Sequence, residues 1–128
     1  MSDIYLLDTN AAIALLKGDP AIDTVLSRLE LYVPGIVLGE LYFGAEKSGR
    51  IEENLRRVDE FAAKRSILHC DTETSRWYGR IRHQLRAKGR PIPQNDVWIA
   101  AVALQHDLTL LTRDVHFKEV DNLPLKSW

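Results

Sequence analysis

The chain has 128 residues, the length of one ordinary domain, and its 45% hydrophobic and 27% charged residues exclude a disordered polymer. A net charge of −1 excludes a generally basic nucleic-acid binder. A single cysteine, Cys70, excludes an internal disulfide and a cysteine-rich zinc site.

Apolar runs fall far short of a bilayer span, and the N-terminus has no basic segment ahead of a long apolar core. The sequence therefore reads as a soluble, cytoplasmic domain over residues 1–128, with no membrane segment. In chain order, Ile4 to Leu7 is an apolar strand, and Asn10 to Lys17 is a helix stopped by Gly18. Asp19-Pro20 starts a second helix, reaching about Glu30, because Asp suits a cap and Pro the first turn. Leu31 to Val33 is a short strand closed by Pro34, and Val37 to Ala45 is a helix. Ile51 to Lys64 is amphipathic, with Ile51, Leu55, Val58, Phe61 and Ala62 on one face. Ile67 to Cys70 is a strand, after which Asp71 or Thr72 caps a helix running to about Lys88 and ended by Gly89 and Pro91. A helix then opens at Asn95 or Asp96 and continues through Gln105; Leu108 to Leu111 is the next strand, and Leu123 to Leu125 a candidate last one. Short apolar strands separated by helices imply an α/β sandwich around a mainly parallel sheet of four or five strands.

Four acids punctuate this pattern: Asp8, Glu40, Asp96 and Asp114. Each adjoins or interrupts an apolar stretch, where a carboxylate is costly to desolvate without a partner. A hard divalent cation, which takes oxygen ligands, is a partner all four can share. Asp8 and Asp114 follow the carboxyl ends of strands, the edge at which open α/β sheets bind ligands. Each acid also has a purely structural use. Asp8 and Asp96 can cap helices, Asp114 can make a turn, and Glu40 can lie on an exposed stripe. The four together make a consistent pocket. The four histidines (His69, His83, His106, His116) show no metal-ligand spacing, and most of them read as surface or capping residues. From Thr74 to Asn95 there is no acid, while Arg76, Arg80, Arg82, Arg86, Lys88 and Arg90 accumulate beside His83. Most of that strip reads as a solvated helix face, and Trp77, Tyr78 and Trp98 read as core or interface residues.

The ordered set Leu7-Asp8-Thr9-Asn10, Val37-Leu38-Gly39-Glu40-Leu41, Asn95-Asp96-Val97-Trp98-Ile99-Ala100-Ala101 and Leu110-Leu111-Thr112-Arg113-Asp114, with Phe117 after it, resembles the PIN domain. More narrowly, it resembles the VapC-type toxins of prokaryotic toxin–antitoxin pairs. The resemblance covers essentially the whole chain. It implies a PIN-like α/β/α sandwich and an endoribonuclease dependent on Mg²⁺ or Mn²⁺. Asp8, Glu40, Asp96 and Asp114 match the acidic quartet that would hold the metal and act in catalysis. Thr112 matches a supporting hydroxyl, with Asn10 and Asn95 as weaker supports. The family often carries Asn beside Asp114, where this chain has Arg113. The resemblance further implies cleavage of a tRNA or rRNA loop, a VapB-type antitoxin partner and a toxin homodimer within a hetero-oligomer. The rival reading is a non-catalytic PIN-like module that binds RNA or protein. A haloacid dehalogenase-type phosphatase would need a second Asp two residues after Asp8, and this chain has Asn10 there.

Overall fold

Neighbouring residues of a strand point to opposite faces, so a strand buried at consecutive positions must be covered on both sides. Leu6 and Leu7 are both fully buried, as are Leu110 and Leu111. A computed structural model of the chain, which describes residues 4–26 and 30–128, shows what covers them. In order the elements are β1 (Ile4–Leu7), α1 (Thr9–Leu16), α2 (Pro20–Leu26), β2 (Glu30–Pro34), α3 (Gly35–Glu46), α4 (Ile51–Ala63) and β3 (Ser66–Leu68). There follow α5 (Thr72–Ala87), α6 (Gln94–Gln105), β4 (Thr109–Leu111), a 3₁₀ turn over Val115–Glu119, and β5 (Leu125–Lys126). The strands form one sheet in the order β3-β2-β1-β4-β5, and every neighbouring pair is parallel. The expected α/β architecture is what forms, with five strands and no antiparallel pair among the described residues.

The strand order places the site. β1 is central, with β2 on one side and β4 on the other. Chain leaving β1 goes toward β2, and the later half of the chain returns to the other side. That reversal opens a crevice at the carboxyl ends of β1 and β4.

Helix boundaries follow local chemistry. Gly18 (φ 73°) and Gly89 (φ 69°) directly follow the capping residues of α1 and α5, where a left-handed residue ends the helix and Gly adopts it without a Cβ clash. Asp71 caps α5 in a reciprocal box with Thr74, and Gln105 at the end of α6 donates to the same Asp71 oxygen, tying the two helices together. In α6, Val97 and Ile99 to Ala103 are all buried, so it is an interior helix, packed on α5 and touching α3 and β4.

Some boundaries differ from expectation. Glu30 begins β2 rather than ending α2, and the expected continuation of that helix over 27–29 lies outside the described residues. α3 starts at Gly35, two residues early, directly behind Pro34. A Cβ at Gly35 would lie 2.8 Å from His69 Nδ1, so this start is packed against the segment after β3. Ile51, placed on the apolar face of α4, is 43% exposed at the helix's first position. β3 begins and ends earlier than expected, and β5 falls at Leu125–Lys126 rather than over 123–125.

Candidate metal centre

Asp8 follows β1 directly and caps α1: its Oδ1 accepts from the Ala11 amide at 2.8 Å. Its own amide donates to Leu111 O at 3.4 Å, which joins it to the end of β4. Its Oδ2 accepts from Thr112 Oγ1 at 2.5 Å, and Thr112 Oγ1 in turn accepts from the Asp114 amide at 2.9 Å. Asp8 and Thr112 are both buried. One hydroxyl thus fixes the carboxylate after β1 and the backbone after β4. Thr112, the supporting hydroxyl that the resemblance implies, thus touches Asp8 directly.

Asp114 caps the 3₁₀ turn by accepting the His116 amide at 2.9 Å. That tight turn brings the His116 ring back over the carboxylate, with Nδ1 3.0 Å from Asp114 Oδ1 and 3.8 Å from Asp96 Oδ2. Asp96 lies in the first turn of α6 and does not cap it; Pro93 occupies the cap position, and no side chain bonds there. Donor atoms of Asp96, Asp114 and His116 all lie within 4.8 Å of one another.

Glu40 lies on α3 outside that trio. Its Oε1 accepts from Asn95 Nδ2 at 2.5 Å, which ties α3 to the residue preceding Asp96. Asn95, a weaker candidate from sequence, thus supports Glu40. Asn10 is exposed on α1.

The electrostatics are those of a site built for a cation. Burial pushes the Asp8 carboxyl up; the Thr112 and Ala11 hydrogen bonds pull it down, and the charge of Asp114 adds a further push upward. Asp96 is raised to about 6, first by burial, then by Asp114 and Asp8, against a downward pull from His116. A divalent ion relieves the like-charge repulsion, and carboxylate oxygens with one imidazole nitrogen are a donor set it accepts. The sequence reading missed His116. Its only signal was a position two residues after a strand-end Asp, where a tight turn returns the side chain to the acid.

The PIN domain family matches residues 5–123. Ribonuclease VapC2 of Rickettsia felis is 34% identical, over 98% of both chains. The tRNA(fMet)-specific endonuclease VapC of Shigella flexneri is 32% identical, over 97% of both chains. Among solved structures, VapBC2 from Rickettsia felis bound to a DNA fragment from their promoter superposes with a TM-score of 0.90, 32% identity and 98% coverage of both chains.

Proposed function

The chain belongs to the VapC family of PIN-domain ribonucleases, and on that premise we propose that it is a divalent-metal-dependent endoribonuclease toxin whose reacting centre is the pocket of Asp8, Asp96 and Asp114. The observation that supports this most is the Asp8–Thr112–Asp114 chain of hydrogen bonds across the crevice between β1 and β4, with Asp96 facing it. Asp8, Asp96 and Asp114 would hold the Mg²⁺ or Mn²⁺ ion, and Glu40, oriented by Asn95, completes the acidic wall. When bound, the ion supplies activation of an attacking water and offsets charge developing on the phosphoryl oxygens. Thr112 keeps Asp8 in place through both states, because its hydroxyl is itself held by the Asp114 amide. The low-dielectric flank of Leu6, Leu7 and Leu111 strengthens each of these interactions.

The substrate is RNA, and the name of the Shigella relative makes initiator tRNA the first to test. A VapB-type antitoxin is the proposed partner, as in the Rickettsia complex. A partly apolar cavity of about 370 Å³ between α1, α3 and α4, with Leu16, Leu41, Val58 and Glu40 on its wall, is a surface at which such a partner could be sought. This reading places the single domain, over residues 1–128, in the cytoplasm with its RNA; no helix among the described residues is long and apolar enough to cross a membrane.

The test is cleavage of total bacterial RNA by purified, antitoxin-free protein with Mg²⁺, Mn²⁺ or EDTA, beside Asp8→Ala, with the new ends sequenced. Metal-dependent cuts at one or a few loops, bearing 5′-phosphates and absent in the variant, are expected. Cyclic phosphate ends would rule out attack by water. No cutting by folded, metal-loaded protein would leave a PIN-like binding module.

A further inference from the structure

The carboxylates of the pocket come with a nitrogen. We propose that His116 is a direct ligand of the divalent ion, beside Asp96 and Asp114, and that it tilts the site toward Mn²⁺ over Mg²⁺. The inference rests on the metal-dependent reading above and deepens it.

The spacing carries the argument. Donors on adjacent corners of an octahedron with metal–ligand distances of about 2.1 Å lie about 3.0 Å apart, and donors on opposite corners about 4.2 Å. His116 Nδ1 stands 3.0 Å from Asp114 Oδ1, the adjacent-corner spacing, and 3.8 Å from Asp96 Oδ2, between the adjacent and the opposite spacing. A histidine acting only as a hydrogen-bond partner needs one carboxylate, whereas this ring nitrogen is close to two. Its placement is also set by the backbone, because the His116 amide is bonded to the same Asp114 oxygen. Asp8 is not in this trio; each of its oxygens accepts one hydrogen bond, from Ala11 and from Thr112, which leaves a lone pair on each for the ion. The ring is about half exposed, so its nitrogen reaches the cation at little cost in packing.

Mg²⁺ prefers oxygen donors and holds its waters tightly, while an imidazole suits transition ions better. Replacing one oxygen corner by nitrogen therefore weakens Mg²⁺ relative to Mn²⁺. The exposed position lets His116→Gln keep the fold while removing the ring.

The experiment loads the full-length protein with Mn²⁺ and reads nitrogen-14 coupling to the metal by pulsed electron paramagnetic resonance. Mn²⁺ and Mg²⁺ dissociation constants are measured on the same samples. Expected are directly coordinated nitrogen in the wild type and none in His116→Gln. The variant's Mn²⁺ affinity should fall by about tenfold or more, a loss that even a metal ligand's outer partner can produce, with a much smaller change for Mg²⁺. Bound Mn²⁺ without nitrogen coupling, or an equal loss for both ions, overturns the inference while leaving the nuclease reading intact if RNA is still cut. Nitrogen coupling without RNA cleavage keeps the ligand and removes the nuclease. Failure to bind Mn²⁺ overturns the inference, and failure to bind either ion overturns the metal-dependent reading as well.

Discussion

Asp96 keeps its proton to about pH 6 in the metal-free protein, against an ordinary value of 3.8. Burial disfavours its charge, and Asp114 and Asp8 repel it. Because the folded-state value lies above the unfolded one, between about pH 4 and 6 the native state holds more protons than the unfolded chain. Stability contributed by the protonated form is therefore complete below the unfolded value and is lost as pH rises through about 6. The shift corresponds to about 3 kcal/mol at most, at 1.36 kcal/mol per unit. Asp8 is displaced in the same direction and adds to the trend. Asp96→Asn should consequently be more stable than wild type in EDTA at pH 7.5, with the difference vanishing near pH 4, while losing metal binding and RNA cleavage. Urea denaturation of both proteins across this pH range is the check. A variant less stable than wild type at pH 7.5 would mean that hydrogen bonding, not repulsion, dominates at this position. Added Mn²⁺ should reverse the slope for wild type alone, since the ion binds only the deprotonated carboxylates.

Two helices carry the acids furthest from the strands, and both begin behind a proline with no side-chain cap: α3 after Pro34 and α6 after Pro93. In α6 the first-turn Asp96 lies where the helix dipole favours an anion, yet burial and the neighbouring acids prevail and its pKa still rises. Sequence made Asp8 and Asp114 legible, because an acid after a short apolar strand has few other places to go in a parallel sheet. For Asp96 the helix is legible, and the capping alternative is not what forms, because Pro93 takes the cap position. Glu40 was legible as an acid among apolar residues, but its tie to Asn95, 55 positions away, depends on how α3 and α6 pack, and one chain's periodicity does not encode that. His116 was lost for the same kind of reason: only the turn set by Asp114 gives it a direction. What holds α6 is a run of small buried residues, and Ala101 is fully buried. Ala101→Leu adds side-chain volume at a fully buried position, so a loss of roughly 1–3 kcal/mol is expected. Because α6 must shift to admit it, Asp96 and Asn95 move with it, and metal affinity should fall too. Urea unfolding with Mn²⁺ titration measures both effects; a destabilised variant with unchanged metal affinity would show that the first turn of α6 is held independently of its body.

At the scale of the whole molecule, the proposed RNA substrate is a polyanion that meets a chain of net charge −1. A divalent ion in the pocket would offset two of its carboxylate charges, and the rest of the attraction must come from cations whose charge no acid of the protein offsets. The structure sorts the basic strip in this respect. Lys88 Nζ is bonded to Glu119 O at 2.7 Å and paired with Asp121 at 3.0 Å. Arg82 and Arg86 instead line a cavity of about 370 Å³ with Pro91, Ile92 and Gln94, and Gln94 opens the helix turn that carries Asp96. The Arg82 guanidinium is steadied by the Tyr78 hydroxyl at 3.0 Å, and the Tyr78 ring is stacked on Trp98 at 4.0 Å, so the aromatic pair serves the arginine from within the fold. RNA phosphates leading away from the acidic pocket should therefore run along Arg82 and Arg86. For single strands each phosphate contact contributes about 0.7 to the slope of log affinity against log salt, so replacing both arginines by alanine should lower that slope by roughly 1 to 1.5. Lys88→Gln should leave the slope unchanged, because its charge is paired with Asp121 and its ammonium is also bonded to the Glu119 carbonyl. Salt titrations of RNA binding in an Asp8→Asn background, which prevents cleavage from distorting the equilibrium, decide between this partition and a uniformly charged face: equal effects of Lys88 and the two arginines would mean that RNA responds to the strip's total charge and not to the groove beside α6.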